Sequence, residues 1–165
     1  MSGIFQDWTA NRGNIKGQLV LAVFRCAQWV RAQPDPWWLL GAPLLAFYEL
    51  FVVWILGIEL RYKTAAGPRL RLFHGQGLVV HEGTVFGADV TLRQSTTIGR
   101  KTLADGSQSA CPIFGDGVDV GANAVVIGPI KIGDRAVIGA GAVVVADVPA
   151  GAVVAGNPAR VIRQN

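Results

Sequence analysis

The sequence predicts a mainly-β fold: a parallel β-helix of about four coils, built from six-residue repeats and preceded by N-terminal α-helices. Three observations predict it. Phe114, Val120, Val126, Ile132, Ile138 and Val144 lie six residues apart. Glycine follows most of them, at Gly115, Gly121, Gly133 and Gly139, with Ile127 and Val145 the exceptions. Four residues beyond each lattice position a small or aliphatic residue recurs, at Val118, Ala124, Ile130, Ala136, Ala142 and Val148. A helical period cannot hold that set on one face, and a strand period gives no reason for glycine at every sixth place. A solenoid with one short strand per hexad accounts for both. The aliphatic residue points inward, and the glycine is expected at the corner, where the backbone turns tightly.

Length and charge bound the rest. The 165 residues leave room for one domain, or one domain and an appendage. Residues 1–75 hold eight Lys/Arg and four Asp/Glu, whereas 76–165 hold seven of each, so the net +4 sits in the N-terminal part. That distribution does not make a nucleic-acid surface. Cys26 and Cys111 are far apart in sequence, which argues against a disulfide framework and for a reducing cytosol. Residues 1–18 are polar and do not read as a cleavable signal peptide.

Along the chain, a polar start leads into one amphipathic helix with Leu19, Val23, Ala27 and Val30 on one side and Arg25 and Arg31 elsewhere. Gln33-Pro34-Asp35-Pro36 stops it. Residues 36–58 are apolar except for Glu49 and are nearly long enough to span a bilayer. Pro43 and Glu49 interrupt them, and basic residues flank both sides equally, against a single crossing. Two further readings stay open: an interfacial element with tryptophans at headgroup level, and a helix packed on the solenoid or on neighbouring chains. The solenoid starts before the clear repeat. Ala66 and Leu72 are six apart, as are Val80, Phe86, Leu92 and Ile98. The step from Leu72 to Val80 is eight, a bulge within His74-Gly75-Gln76-Gly77, and the step from Ile98 to Phe114 is sixteen, an extruded loop at 100–110. Insertions in a solenoid tend to fall on one face and build its site. The expected division is therefore a helical region at 1–60 and a β-helix domain at 61–165.

Residues 113–148, with Ala155-Gly156-Asn157-Pro158-Ala159-Arg160-Val161-Ile162 at the end, resemble the left-handed β-helix acyltransferases that use acyl-coenzyme A. The segments Phe73-His74-Gly75-Gln76-Gly77-Leu78-Val79-Val80 and Leu92-Arg93-Gln94-Ser95-Thr96-Thr97-Ile98-Gly99 are similar to the serine acetyltransferase branch, and most to its short relatives in colanic-acid-type exopolysaccharide clusters. Asp7-Trp8-Thr9-Ala10-Asn11 and Ala42-Pro43-Leu44-Leu45 look like the same subgroup. The left hand of the helix is what this resemblance implies.

The resemblance also implies the site. His74 matches the family's general base, a role that suits an imidazole near neutral pH. Glu59 stands where serine acetyltransferases place the aspartate that orients that histidine. Ala122, Gly139, Ala140, Gly141, Asn157 and Arg160 match positions that bind coenzyme A; for the nearby cations Lys131 and Arg135 two readings stay open, contact with its phosphates and solvated corner residues. Gln94, Arg100 and Cys111 are expected in the acceptor pocket. Ala110-Cys111 departs from the family, since serine acetyltransferases carry Arg-His there to hold and activate serine. His81 follows Val80 at a corner position and is expected to be an exposed corner residue. Two histidines are too few for a three-histidine zinc site, and no metal is expected.

The implied activity is transfer of acetyl from acetyl-CoA to a sugar hydroxyl of an exopolysaccharide repeat unit or its lipid-linked precursor. The implied assembly is a homotrimer with sites between subunits, cytoplasmic and in peripheral contact with the inner membrane. Two rivals stand beside it: a serine O-acetyltransferase of cysteine biosynthesis, and a non-catalytic solenoid scaffold.

Overall fold

The structure, a computed structural model, describes residues 3–164. Its three sheets, parallel except for the final strand Ala159–Gln164, form the faces of a triangular prism. Face 1 stacks Leu60, Val80, Ile98, Val126 and Val144 in register. Face 2 stacks Ala66, Phe86, Phe114, Ile132 and Val148. Face 3 stacks Leu72, Leu92, Val120, Ile138 and Val154. The prism therefore has five coils rather than four. Leu60 opens the first coil six residues before Ala66, and Val148 closes a short hexad in the last, four residues after Val144. Nearly all lattice residues are buried, as are the residues four places on, from Val118 to Val148. Each Val or Ile so buried contributes about 2 kcal/mol.

The glycines do something other than turn the chain. The tight turns lie three residues beyond the lattice residue, in the left-handed region. They fall at Ser95, Asn123 and Gly141 between faces 3 and 1, with Gly77 five residues beyond Leu72 because of the two-residue bulge, and at Arg69, Asp89, Gly117, Arg135 and Gly151 between faces 2 and 3. Gly115 and Gly121, directly after their lattice residues, are not among them. A Cβ on Gly121 would stand 2.5 Å from Ala140 N, and one on Gly115 would stand 2.8 Å from Asp134 N. Glycine recurs there because the next coil passes directly over it.

The lower end of the prism exposes three strand edges, and the N-terminal region covers each one with polar side chains. On face 3, Asp7 accepts from Leu70 N (2.9 Å), Asn11 bonds Leu70 O (2.8 Å) and Leu72 N (3.0 Å), and Asn14 donates to Leu72 O (2.7 Å). Asn14 also caps the helix α1 (Ile15–Arg31) by accepting from Gly17 N. On face 2, Arg25 donates to Ala66 O and Gly67 O, and Gln28 to Thr64 O. On face 1, the buried Tyr48 hydroxyl donates to Leu60 O. Burial first, and the Glu49 charge second, push its pKa upward, so it stays a donor.

The buried side of α1 carries Val20, Leu21, Phe24, Ala27 and Val30, while Leu19 is exposed and Val23 half-buried. Arg25 is buried against Asp7 at 2.7 Å, so the expected apolar stripe is displaced by about one residue. Residues Trp37–Ile55 form one continuous helical run of 19 residues with mean hydropathy 1.8, passing from 3-10 through α to π geometry. By length and composition it could cross a membrane. Its outer side exposes Trp37, Leu40, Phe47, Leu50, Trp54 and Ile55.

Candidate active site

His74 sits where the lattice breaks, at the corner between faces 3 and 1. Two extra residues must be accommodated there, and the chain does so with consecutive left-handed residues, His74 (φ 66°) and Gly75 (φ 78°), ahead of the regular corner residue Gly77. Such a conformation costs a histidine on the order of 1 kcal/mol and recurs where function demands it. Gly75 is buried, and a Cβ on it would reach Ile58 and Leu72 at 3.1 and 3.3 Å. The glycine thus tucks inward while the His74 imidazole faces solvent.

The same corner carries the expected coenzyme A residues. Successive coils are tied along it by backbone bonds from Ser95 N to Gln76 O, Asn123 N to Gln94 O and Gly141 N to Ala122 O. Ala122, Ala140 and Gly141 therefore lie on one edge with the His74 bulge, and beyond its chain neighbours no atom of the described residues lies within 4 Å of where a Gly141 Cβ would be. Gly139 packs under Ala155, and Asn157 turns the terminal hairpin of Ala152–Gly156 and Ala159–Gln164 at the top. Arg160 lies exposed on its second strand. Gln94 belongs to this edge as well, with a buried Oε1 that has no hydrogen-bond partner among the described residues. Lys131 and Arg135 do not belong to it: Lys131 lies on face 2, and Arg135 turns the corner between faces 2 and 3.

The extruded loop leaves from a different corner, between faces 1 and 2. It closes as a small hairpin through the Thr102–Gln108 bridge and brings Arg100 and Cys111 to its base. The two lattice breaks thus flank face 1 from opposite ends, about 10 Å apart by strand length alone, instead of opening on one face. Within one chain the His74 edge and the Arg100–Cys111 corner do not meet.

Glu59 lies between them on face 1, paired with Arg61 at 3.7 Å. No hydrogen bond joins it to His74 among the described residues. With Arg61, Val80, His81 and Glu82 it lines a groove of about 310 Å³. His81 is more than an exposed corner residue: it is half-buried, and its Nδ1 lies 3.2 Å from the sulfur of the buried Cys111. The only sequence signal for this contact is a histidine at a position where the lattice favours glycine.

These placements provide an imidazole, a carboxylate and an edge of small residues, the parts that acyl transfer from a thioester requires. Residues 113–146 match the hexapeptide repeat of the succinyl-transferase family. Over 163 residues the chain is 32% identical to the Escherichia coli (strain K12) acetyltransferase WcaB, named for colanic acid biosynthesis, covering 96% of this chain and 98% of WcaB. It is 39% identical to the serine acetyltransferase of Mycobacterium tuberculosis over 86% of this chain and 58% of that protein. The soybean serine acetyltransferase apoenzyme superposes with a TM-score of 0.79 at 29% identity, over 98% of this chain and 68% of that one. A repeat, a left-handed β-helix and a relative matched end to end agree: the chain is an acyltransferase of the hexapeptide-repeat family, in the branch that joins serine acetyltransferases and colanic-acid acetyltransferases.

Proposed function

We propose that this enzyme moves an acetyl group from acetyl-CoA to a sugar hydroxyl of an exopolysaccharide repeat unit, carried on a lipid at the cytoplasmic face of the inner membrane. His74 takes the hydroxyl proton as the oxygen attacks the thioester carbonyl. The tetrahedral intermediate collapses, the coenzyme A thiolate leaves, and the imidazolium returns the proton to it. Glu59 is assigned to orient the imidazole, and Gln94 to the acceptor pocket beside it. The donor lies along the edge of Ala122, Gly139, Ala140 and Gly141, with Asn157 and Arg160 at its nucleotide end. Because the two corners bearing candidate residues lie at opposite ends of face 1, the complete site is assigned to the junction of neighbouring prisms in a closed trimer.

The observation that carries the saccharide reading is Ala110-Cys111 at the loop base: neither residue can hold a carboxylate by charge. Arg100, near Cys111, favours a second reading, with serine as acceptor. Thiol release from acetyl-CoA separates them. Release with a lipid-linked oligosaccharide extract, and none with L-serine, is the expected result; release with serine alone would transfer the enzyme to amino-acid metabolism.

Exposed Leu50, Trp54 and Ile55, together with the basic N-terminal half, support an interfacial position on anionic lipid. Flotation with phosphatidylglycerol vesicles is expected, reduced about tenfold or more in a Leu50→Glu/Trp54→Glu double variant. Undiminished flotation of that variant would assign this surface to contacts between protein chains.

A further inference from the structure

We propose that the groove on face 1 binds a neutral polyhydroxylated acceptor, a pyranose ring, and that His81 is its hydrogen-bond donor. The proposal rests on the saccharide acetyltransferase reading and specifies its acceptor end.

His81 Nδ1 is engaged twice. Gly83 N–H donates to it at 3.0 Å, and Cys111 Sγ lies 3.2 Å away. A backbone amide can only donate, so Nδ1 accepts, and the neutral ring carries its proton on Nε2. Cys111, buried at the loop base, has only its thiol hydrogen to offer and offers it to the same nitrogen. Gly83 is part of the unit: a Cβ there would stand 3.1 Å from Cys111 Sγ, 3.5 Å from Nδ1 and 3.6 Å from an Arg100 nitrogen. Amide, thiol and imidazole thus form one compact assembly whose remaining polar atom is Nε2–H, on a side chain that lines the groove.

The other lining groups fit hydroxyls. Glu59 and Glu82 accept, and Arg61 donates. The cations are already engaged within the protein, and carboxylates are in excess: Arg61 is shared between Glu49 at 3.6 Å and Glu59 at 3.7 Å, and Lys63 pairs with Glu82 at 3.7 Å. A ligand carboxylate entering the groove would meet two lining carboxylates and one lining cation, Arg61, already shared between two acids; Arg100 stands by Cys111 outside the groove lining. A sugar ring, whose hydroxyls both donate and accept, meets no such opposition. Cys111 acts through His81 as a positioning residue and fixes which nitrogen faces the ligand.

The chain has two histidines, so isotope-labelled histidine in the full-length protein yields two ring signals, and His81→Gln assigns them. The expected spectrum shows His81 with Nδ1 unprotonated and Nε2 protonated. Titration with methyl glycosides of glucose, galactose and fucose is expected to move the His81 signal saturably, while L-serine leaves it in place. Cys111→Ala weakens that binding about tenfold, and Cys111→Ser, which keeps a donor to Nδ1, restores most of it. With lipid-linked oligosaccharide as acceptor, His81→Gln raises the acceptor KM about tenfold and leaves the acetyl-CoA KM unchanged. A proton on Nδ1, a His81 signal unmoved by all three glycosides, saturable movement with serine, or an unchanged acceptor KM in His81→Gln would each overturn the proposal. Absence of acetyl transfer to any saccharide by the wild type would instead refute the broader reading, and the histidine titration judges the groove by itself.

Discussion

His74→Asn is expected to lower kcat for acetyl transfer about a thousandfold, the range that a general base contributes, with coenzyme A affinity unchanged. Asparagine is the informative replacement because it tolerates the left-handed backbone that His74 adopts. Loss of activity then reports the missing base and not a collapsed bulge. His74→Gly sharpens the test. Glycine removes the left-handed penalty, so this variant should be inactive yet more stable by about 1 kcal/mol. A purely structural histidine would give the opposite pair of results, with activity retained and stability lost. Kinetics under saturating donor, alongside thermal unfolding of the same two variants, decides between these outcomes. A kcat within threefold of wild type in His74→Asn would remove His74 from the mechanism.

Asp7→Ala is expected to cost about 3 kcal/mol of stability. Asp7 is 2% exposed and its partner Arg25 5% exposed, so deleting the carboxylate leaves a guanidinium buried beside a void. It also strips the acceptor from Leu70 N, reopening the face 3 edge that the N-terminal segment closes. Asp7→Asn keeps an acceptor for that amide but loses the charge, and should fall between the two. Urea unfolding measures all three proteins. Equal midpoints for wild type and Asp7→Ala would mean that the N-terminal segment does not cap the first coil.

These two residues mark the reach of sequence reading. His74 is legible because a strict six-residue spacing makes any two-residue excess conspicuous, and the excess falls at a histidine followed by glycine. Asp7 is visible only as part of a segment resembling a subgroup. Its pairing with Arg25 spans 18 residues and its bond to Leu70 spans 63, and no periodicity connects such positions. Leu60 escapes the lattice in the sequence because a coil's first strand looks like the end of the apolar helix before it. The glycine positions follow from the repeat, but their role does not. Spacing reveals that a side chain is excluded, and leaves open whether a turn or the next coil excludes it.

The six-residue repetition in the sequence is enough for the solenoid and the two breaks in its lattice, and the resemblance adds His74 and the residues expected at coenzyme A. The solenoid and its breaks follow from short-range repetition, in which each residue's neighbours lie one coil away. Only the folded chain shows that one edge carries His74 with Ala122 and Gly141, that the two breaks occupy opposite ends of face 1, that three polar clamps seal the lower end, and that His81 and Cys111 touch across 30 residues. Those facts depend on which corner each coil turns at when a loop is inserted, and on side chains that close hydrogen bonds through space.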